Sequence, residues 1–125
     1  MDFQSLKSQI EQSRRFELEV QGATFSLRLP SEHAWRLAVE SNRDANGRPM
    51  EARALRALLD GAVSGWRGVT ARHFLSEAPE DAVEFSAQAR AELLDCRQDI
   101  ADELGDALVG RRRAEREKRE QSRKN

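Results

Sequence analysis

The stretch FELEVQGATFSLRL, residues 16–29, decides the fold of the first third of this chain. Apolar and polar residues alternate in both of its halves; the apolar ones are Phe16, Leu18 and Val20, then Phe25, Leu27 and Leu29. A period of two places these side chains on one face of each of two strands. Gly22 lies between the halves and can adopt the positive φ of a tight turn. The stretch therefore predicts an antiparallel β-hairpin.

Helical patterns surround this hairpin. A two-stranded sheet is not stable alone, so its apolar face needs helices packed against it. A short helix is expected near residues 2–13, and stronger helical spacings cover about residues 31–41, 50–64 and 87–109. Arg97 falls in the apolar sector of the last stretch, which favours a break there. The predicted fold is α+β and mostly α, with a two-stranded hairpin packed on a bundle of about four helices.

The sequence predicts an irregular connector at residues 67–85. Gly65 and Gly68 bracket Trp66 and are expected to end the preceding helix. The connector is long for a structureless loop. We therefore expect four apolar side chains to pin it to the core, namely Phe74, Leu75, Val83 and Phe85.

The length and composition predict one domain over residues 1–109, followed by a charged tail, helical or disordered, over residues 110–125. No apolar run approaches the roughly 18 residues that span a bilayer. The first fifteen residues lack the pattern of a signal peptide. Cys96 is the single cysteine, which excludes an internal disulfide and fits a reducing compartment. These features predict a cytoplasmic protein with no membrane contact.

The net charge of −1 conceals a basic tail on an acidic body. Residues 110–125 carry eight basic and three acidic side chains. Such a tail could neutralise phosphates, so a small regulatory protein that binds nucleic acid is the alternative function. Glutamates interleave with these cations, and the tail has no aromatic residue for base stacking. Nucleic-acid binding is therefore the less favoured interpretation.

No pattern of catalytic or metal-binding residues emerges. His33 and His73 lie in different segments, and no nucleophile pattern accompanies either one. One cysteine and two scattered histidines cannot build a structural zinc site. Acidic residues at spacings of four, three and four, Asp95, Asp99, Asp102 and Asp106, are interpreted as a solvated helix face that a basic partner could contact. The sequence predicts no enzymatic activity, no metal and no cofactor.

Three motifs, taken in order, resemble a known family. The first is FELEVQGATFSLRLPSEHAWRLA at residues 16–38, a hairpin closed by proline and followed by a capped helix. The second is ALLDGAVSGWRGVTARHFL at residues 57–75, and the third is VEFSAQARAELLDCRQDIADEL at residues 83–104. Their order over about residues 15–109 resembles the tail assembly chaperones of long-tailed bacteriophages.

The resemblance implies a specific role. Chaperones of this family coat the tape measure protein in the host bacterial cytoplasm, keep its apolar surface from aggregating and help recruit tail tube subunits. It therefore implies a non-enzymatic chaperone whose partners are the tape measure protein and the tail tube protein.

Two sets of partner-binding residues follow as hypotheses. The first is a groove between the helix at 50–64 and the helices at 87–109, with Trp66 and Phe74 at its edge; the alternative is that these residues are plain core. The second is a contact of the basic tail with acidic client or tube surfaces, which involves Arg111, Arg112, Arg113 and Arg116. The hairpin edge strands could also pair between chains, so a homo-oligomer is a further expectation.

Overall fold

A computed structural model of the chain describes residues 1–124 and is mostly helical. Its elements in chain order are α1 (Phe3–Arg14), β1 (Arg15–Val20), β2 (Ala23–Arg28), α2 (Glu32–Glu40), α3 (Glu51–Ala62), β3 (Val63–Arg67), α4 (Ala71–Phe74), α5 (Ala87–Cys96) and α6 (Gln98–Lys124). The predicted α+β class is confirmed. No helix within residues 1–124 is long and apolar enough to cross a membrane.

The three strands form one antiparallel sheet in the order β1-β2-β3. The predicted hairpin is present, with Leu18 opposite Phe25 and a turn in which Gln21 and Gly22 have positive φ. The prediction of only two strands is wrong, because β3 pairs with the free edge of β2 and places Trp66 opposite Phe25. Val63 ends α3 in extended conformation, so the helix stops at Ala62, two residues before the predicted end at about residue 64.

One core joins the apolar face of this sheet to the helices. Its buried side chains from the strands include Val20, Phe25 and Leu27, and those from the helices include Trp35, Leu59, Leu93, Ile100 and Leu104. The opposite face of the sheet is polar, where Glu17 and Arg67 form an ion pair at 2.8 Å. A sheet with one buried and one solvated face accounts for the alternating pattern in the sequence.

The predicted break in the last helical stretch is confirmed at Arg97, which has φ −127° and ψ 79° between α5 and α6. The Arg97 guanidinium turns away from the core and donates to the His73 carbonyl at 3.0 Å and to Asp99. The break also separates Asp95 from the other aspartates, and Asp95 instead accepts a hydrogen bond from Arg56 at 2.6 Å. The four aspartates therefore do not form one continuous helix face.

The connector between β3 and α5 is anchored largely as predicted. Phe74, Val83 and Phe85 pack against the core, whereas Leu75 is 70% exposed because it follows the end of α4. Val69 is buried and its carbonyl accepts a hydrogen bond from the Val83 backbone at 2.9 Å. The prediction is wrong for Leu75 alone among the four expected anchors.

The charged tail is helical where the structure describes it. α6 runs without interruption through Gly110 to Lys124. Asn125, the last residue of the predicted tail, lies outside the described residues. The guanidinium of Arg112 lies over the Trp35 ring, 4.6 Å from its centroid, which attaches this part of α6 to α2.

Candidate functional site

An open apolar groove lies between α2 and α3, with a volume of about 380 Å³. Its lining comprises Arg14, Arg28, Leu29, Pro30, Ser31, Ala34, Leu37, Ala38, Ala57, Leu58, Gly61 and Ala62. Small residues four positions apart contribute from each helix, Ala34 and Ala38 from α2 and Ala57 and Gly61 from α3. The side chain of Leu37 is half exposed at its wall. Apolar surface of this kind is what a protein partner covers.

The groove is held by the helical hairpin that α2 and α3 form. The Ser31 hydroxyl caps α2 by accepting from the Ala34 backbone at 3.1 Å. At the other end of α2, the Asn42 side chain donates to the Ala38 carbonyl at 2.7 Å, and the Met50 backbone donates to the Asn42 carbonyl. Asp44 closes the intervening turn by accepting from two backbone N–H groups. The two helices therefore keep a fixed separation.

A basic cleft adjoins the apolar groove and shares Arg14, Leu29 and Pro30 with it. The remaining lining residues of the cleft are Glu32, Arg112, Glu115, Arg116 and Arg119. Four arginines thus face two glutamates. Hydrogen bonds from Arg112 lower the pKa of Glu32, and those from Arg116 add to the effect.

A concave surface of about 360 Å³ does lie between α3 and the start of α6, but neither Trp66 nor Phe74 is at its edge. Its lining comprises Asn42, Ala52, Arg53, Arg56, Ala57, Asp60 and Gln98. α3 contacts α5 and α6 directly, and a Cβ on Gly105 of α6 would lie 2.7 Å from Leu55 Cδ2 of α3. The large apolar residues of these helices are buried in the core and do not line this surface. The groove lined by small apolar residues lies on the α2 side of α3.

Trp66 and Phe74 do not line this groove. Trp66 packs edge-to-face with Phe25 and Phe85, and its indole N–H donates to the Val83 carbonyl at 2.9 Å. Phe74 lies on α4 and packs against the core. Partner binding by these two residues stays a prediction, although both make the contacts of core residues.

The four predicted arginines have different surroundings. Arg112 and Arg116 line the basic cleft and both contact Glu32 at 2.9 Å. Arg111 lies over the Phe16 ring at 4.3 Å from its centroid. Arg113 is exposed and makes no hydrogen bond or ion pair with residues 1–124. The structure brings only Arg112 and Arg116 to the cleft.

α1 exposes a second apolar surface. It buries no residue, and its apolar side chains Phe3, Leu6 and Ile10 are all exposed. The helix is fixed at its C-terminal end, where Arg14 Nη1 donates to the Leu29 carbonyl at 3.1 Å and Glu11 pairs with Arg28. The sequence analysis predicted neither this surface nor the groove. For the groove, the available signal was the spacing of four between small residues, Ala34 and Ala38 on α2 and Ala57 and Gly61 on α3.

The two histidines lie in separate surroundings. His33 contacts Arg36 on the surface of α2. His73 accepts from the Thr70 backbone at 3.1 Å and contacts the Gln21 carbonyl at 2.9 Å, so both ring nitrogens serve structure. Within residues 1–124 no cluster of three or more His, Cys, Asp or Glu side chains could hold a metal ion.

Comparison with known proteins finds no protein-family model, no curated protein and no solved structure that matches this chain. The fold and the site alone therefore define its class. It is an α+β protein whose candidate site is an open apolar groove with a basic cleft beside it.

Replacement of Glu32 by Gln tests how α6 is attached to α2. Because folding lowers the pKa of Glu32, its ionised side chain contributes to the free energy of unfolding above the ordinary glutamate pKa. This contribution is lost as the pH falls through the pKa of the folded state. The side chain is 46% exposed, so we expect a loss of only about 0.5–1 kcal/mol at pH 7. At pH 7, urea unfolding should give Glu32→Gln a lower free energy of unfolding than the wild type. At pH 3 this difference should be smaller.

Glu103→Gln on α6 is the matched control for this measurement, because no ion pair to Glu103 is present in the described chain. We expect it to change the unfolding free energy little at either pH. An equal loss for Glu32→Gln at both pH values would contradict the assigned ion pairs.

Proposed function

We propose that this protein is a non-enzymatic assembly chaperone of a phage tail. It binds a helical segment of the tape measure protein in the host cytoplasm and helps recruit tail tube subunits. The observation that supports this most is the open apolar groove between α2 and α3, together with the order of motifs over residues 15–109. A groove of this form suits an amphipathic helix that lays its apolar face between two others.

The small residues of the groove explain how a helix could enter it. Ala57 and Gly61 let a client backbone approach α3 closely, and a Cβ at Gly61 would meet no atom within 4 Å. Leu37 exposes an apolar side chain at the wall of the groove, and its burial by a client would favour binding. A short groove provides modest affinity, which a chaperone needs because its client must leave during tail polymerisation.

The alternative function, nucleic-acid binding through the tail, finds less support. Arg112 and Arg116 share the carboxylate of Glu32, and Arg119 lies 3.7 Å from Glu115. Cations already paired within the chain release fewer counterions from DNA than free ones. A steep fall in DNA affinity with rising salt would be the sign of this alternative.

Co-expression with the tape measure protein from the same gene cluster tests the proposed function. We expect the wild-type chain to keep that protein in solution and to co-purify with it. Leu37→Gln should weaken the complex about tenfold, because burial of a leucine side chain contributes on the order of 1–2 kcal/mol. Its matched control is Leu75→Gln, which changes an exposed leucine outside the groove and should leave the complex intact.

Two results would overturn the proposal. The first is no co-purification of the tape measure protein with the folded wild-type chain. The second is an equal effect of Leu37→Gln and Leu75→Gln, which would exclude the groove as the binding surface.

A further inference from the structure

We infer that the groove and the basic cleft form one continuous binding surface, which recognises a helix whose apolar face is followed by carboxylate side chains. This inference rests on the proposed function and names the chemistry of the client segment. The apolar groove does not by itself require acidic residues in the client, and neither does the resemblance to tail assembly chaperones. The requirement comes from the positive charge around the edge that the groove shares with the basic cleft.

The continuity of the surface comes from three residues. Arg14, Leu29 and Pro30 line both the apolar groove and the basic cleft. Leu29 and Pro30 follow β2 directly, and Arg14 is fixed to the Leu29 carbonyl at 3.1 Å. A segment that leaves the groove over this edge therefore enters the cleft.

The cleft has cationic donors that the chain does not saturate. Arg14 donates to a backbone carbonyl, with no carboxylate partner in residues 1–124. Arg116 and Arg119 are 61% and 62% exposed, and the Arg119–Glu115 pair is long at 3.7 Å. Guanidinium groups bind carboxylates through paired N–H donors. Arg116 already places Nε and Nη2 on Glu32, so an acidic segment would find its remaining N–H donors together with those of Arg14 and Arg119.

The dimensions limit where the acidic residues lie in the client. The α3 wall from Ala57 to Ala62 spans roughly 8 Å at 1.5 Å per residue. About one and a half turns of a client helix therefore cover the groove. The acidic residues should follow within about one or two further turns.

A second copy of this chain is a less suitable occupant. Its α1 carries the exposed apolar side chains Phe3, Leu6 and Ile10. That helix ends at Arg14 and is followed directly by Arg15, and its Glu11 already pairs with Arg28. Its C-terminal flank is therefore basic and would be repelled by the cleft, so the charge favours an acidic client over self-association at this surface.

Fluorescence anisotropy with synthetic peptides tests the inference on the full chain. Labelled 20-residue amphipathic helices share one apolar face and carry four Glu, four Gln or four Lys residues at one end, in both orientations. We expect the Glu peptide in one orientation to bind at least tenfold more tightly than the Gln peptide in 50 mM salt. The Lys peptide should bind most weakly, and 500 mM salt should reduce these differences.

Variants separate the two parts of the surface. Arg116→Gln with Arg119→Gln should reduce the preference for the Glu peptide over the Gln peptide to less than half, since only Arg14 and Arg112 then remain in the cleft. Lys118→Gln with Arg123→Gln removes the same charge from α6 outside the cleft and should preserve the preference. Gly61→Gln should weaken the binding of both peptides. Gly61→Ala is its matched control, because it adds only a methyl group. Thermal unfolding establishes that every variant is folded.

The outcomes distinguish this inference from the proposed function. Equal binding of the Glu and Gln peptides, or binding of neither, overturns the acidic client. Tighter binding of a peptide of residues 1–14 than of the Glu peptide also overturns it and assigns the groove to a second copy. The proposed function fails separately, if the tape measure protein does not co-purify with the wild-type chain.

Discussion

Phe25→Ala is expected to destabilise the fold by about 3–5 kcal/mol, the usual cost of removing a buried aromatic ring. Phe25 lies in the middle strand and is 1% exposed. It pairs with Leu18 on β1 and with Trp66 on β3, and its ring centroid lies 6.1 Å from that of Trp66. The substitution therefore leaves a cavity where all three strands meet the helices. Urea unfolding followed by circular dichroism measures the loss.

Phe3→Ala provides the control, because Phe3 on α1 is 67% exposed. The same change of side chain there should alter the unfolding free energy by less than about 0.5 kcal/mol. A loss below 1 kcal/mol for Phe25→Ala, or an equal loss for the two variants, would contradict the assignment of the core to this face of the sheet.

The hairpin could be predicted because its signals are local. The alternation in residues 16–29 and the glycine between its halves specify strand, turn and strand without reference to the rest of the chain. The break at Arg97 was also predictable, since a cation in the apolar sector of a continuous helix would be buried. Both features depend on residues close together in sequence.

β3 could not be predicted in the same way. Its five residues follow α3 directly, and Val63 continues the apolar spacing of that helix. What makes this segment a strand is its pairing with β2, about forty residues earlier in the chain. A short strand defined by a distant partner has little periodicity of its own, so tertiary contacts decide its structure.

The candidate site was not predicted, because the interpretation of the sequence favoured large apolar residues as partner-binding residues. Trp66 and Phe74 suggested an interface, but the structure packs both against the core. The groove is instead lined by alanines and a glycine, which sequence reasoning treats as ordinary helix residues. Of the basic tail, only Arg112 and Arg116 among the predicted residues reach the cleft, since helix geometry selects one face of α6.

Trp66→Ala is expected to destabilise the fold by about 2–4 kcal/mol, slightly less than a fully buried aromatic because the indole is partly exposed. It removes two edge-to-face contacts, with Phe25 and Phe85, and the hydrogen bond to the Val83 carbonyl. The connector that Val83 and Phe85 belong to should loosen as well. Urea unfolding and amide hydrogen exchange at residues 69–85 measure the two effects.

Trp66→Phe separates a core role from a partner-binding role. It keeps an aromatic ring and loses chiefly the N–H donor, so it should cost only about 1 kcal/mol and remain folded. If Trp66 is a core residue, this variant binds the tape measure protein as the wild type does, because the groove between α2 and α3 is unchanged. A folded Trp66→Phe that no longer co-purifies with that protein would instead place the client on β3 and contradict the groove.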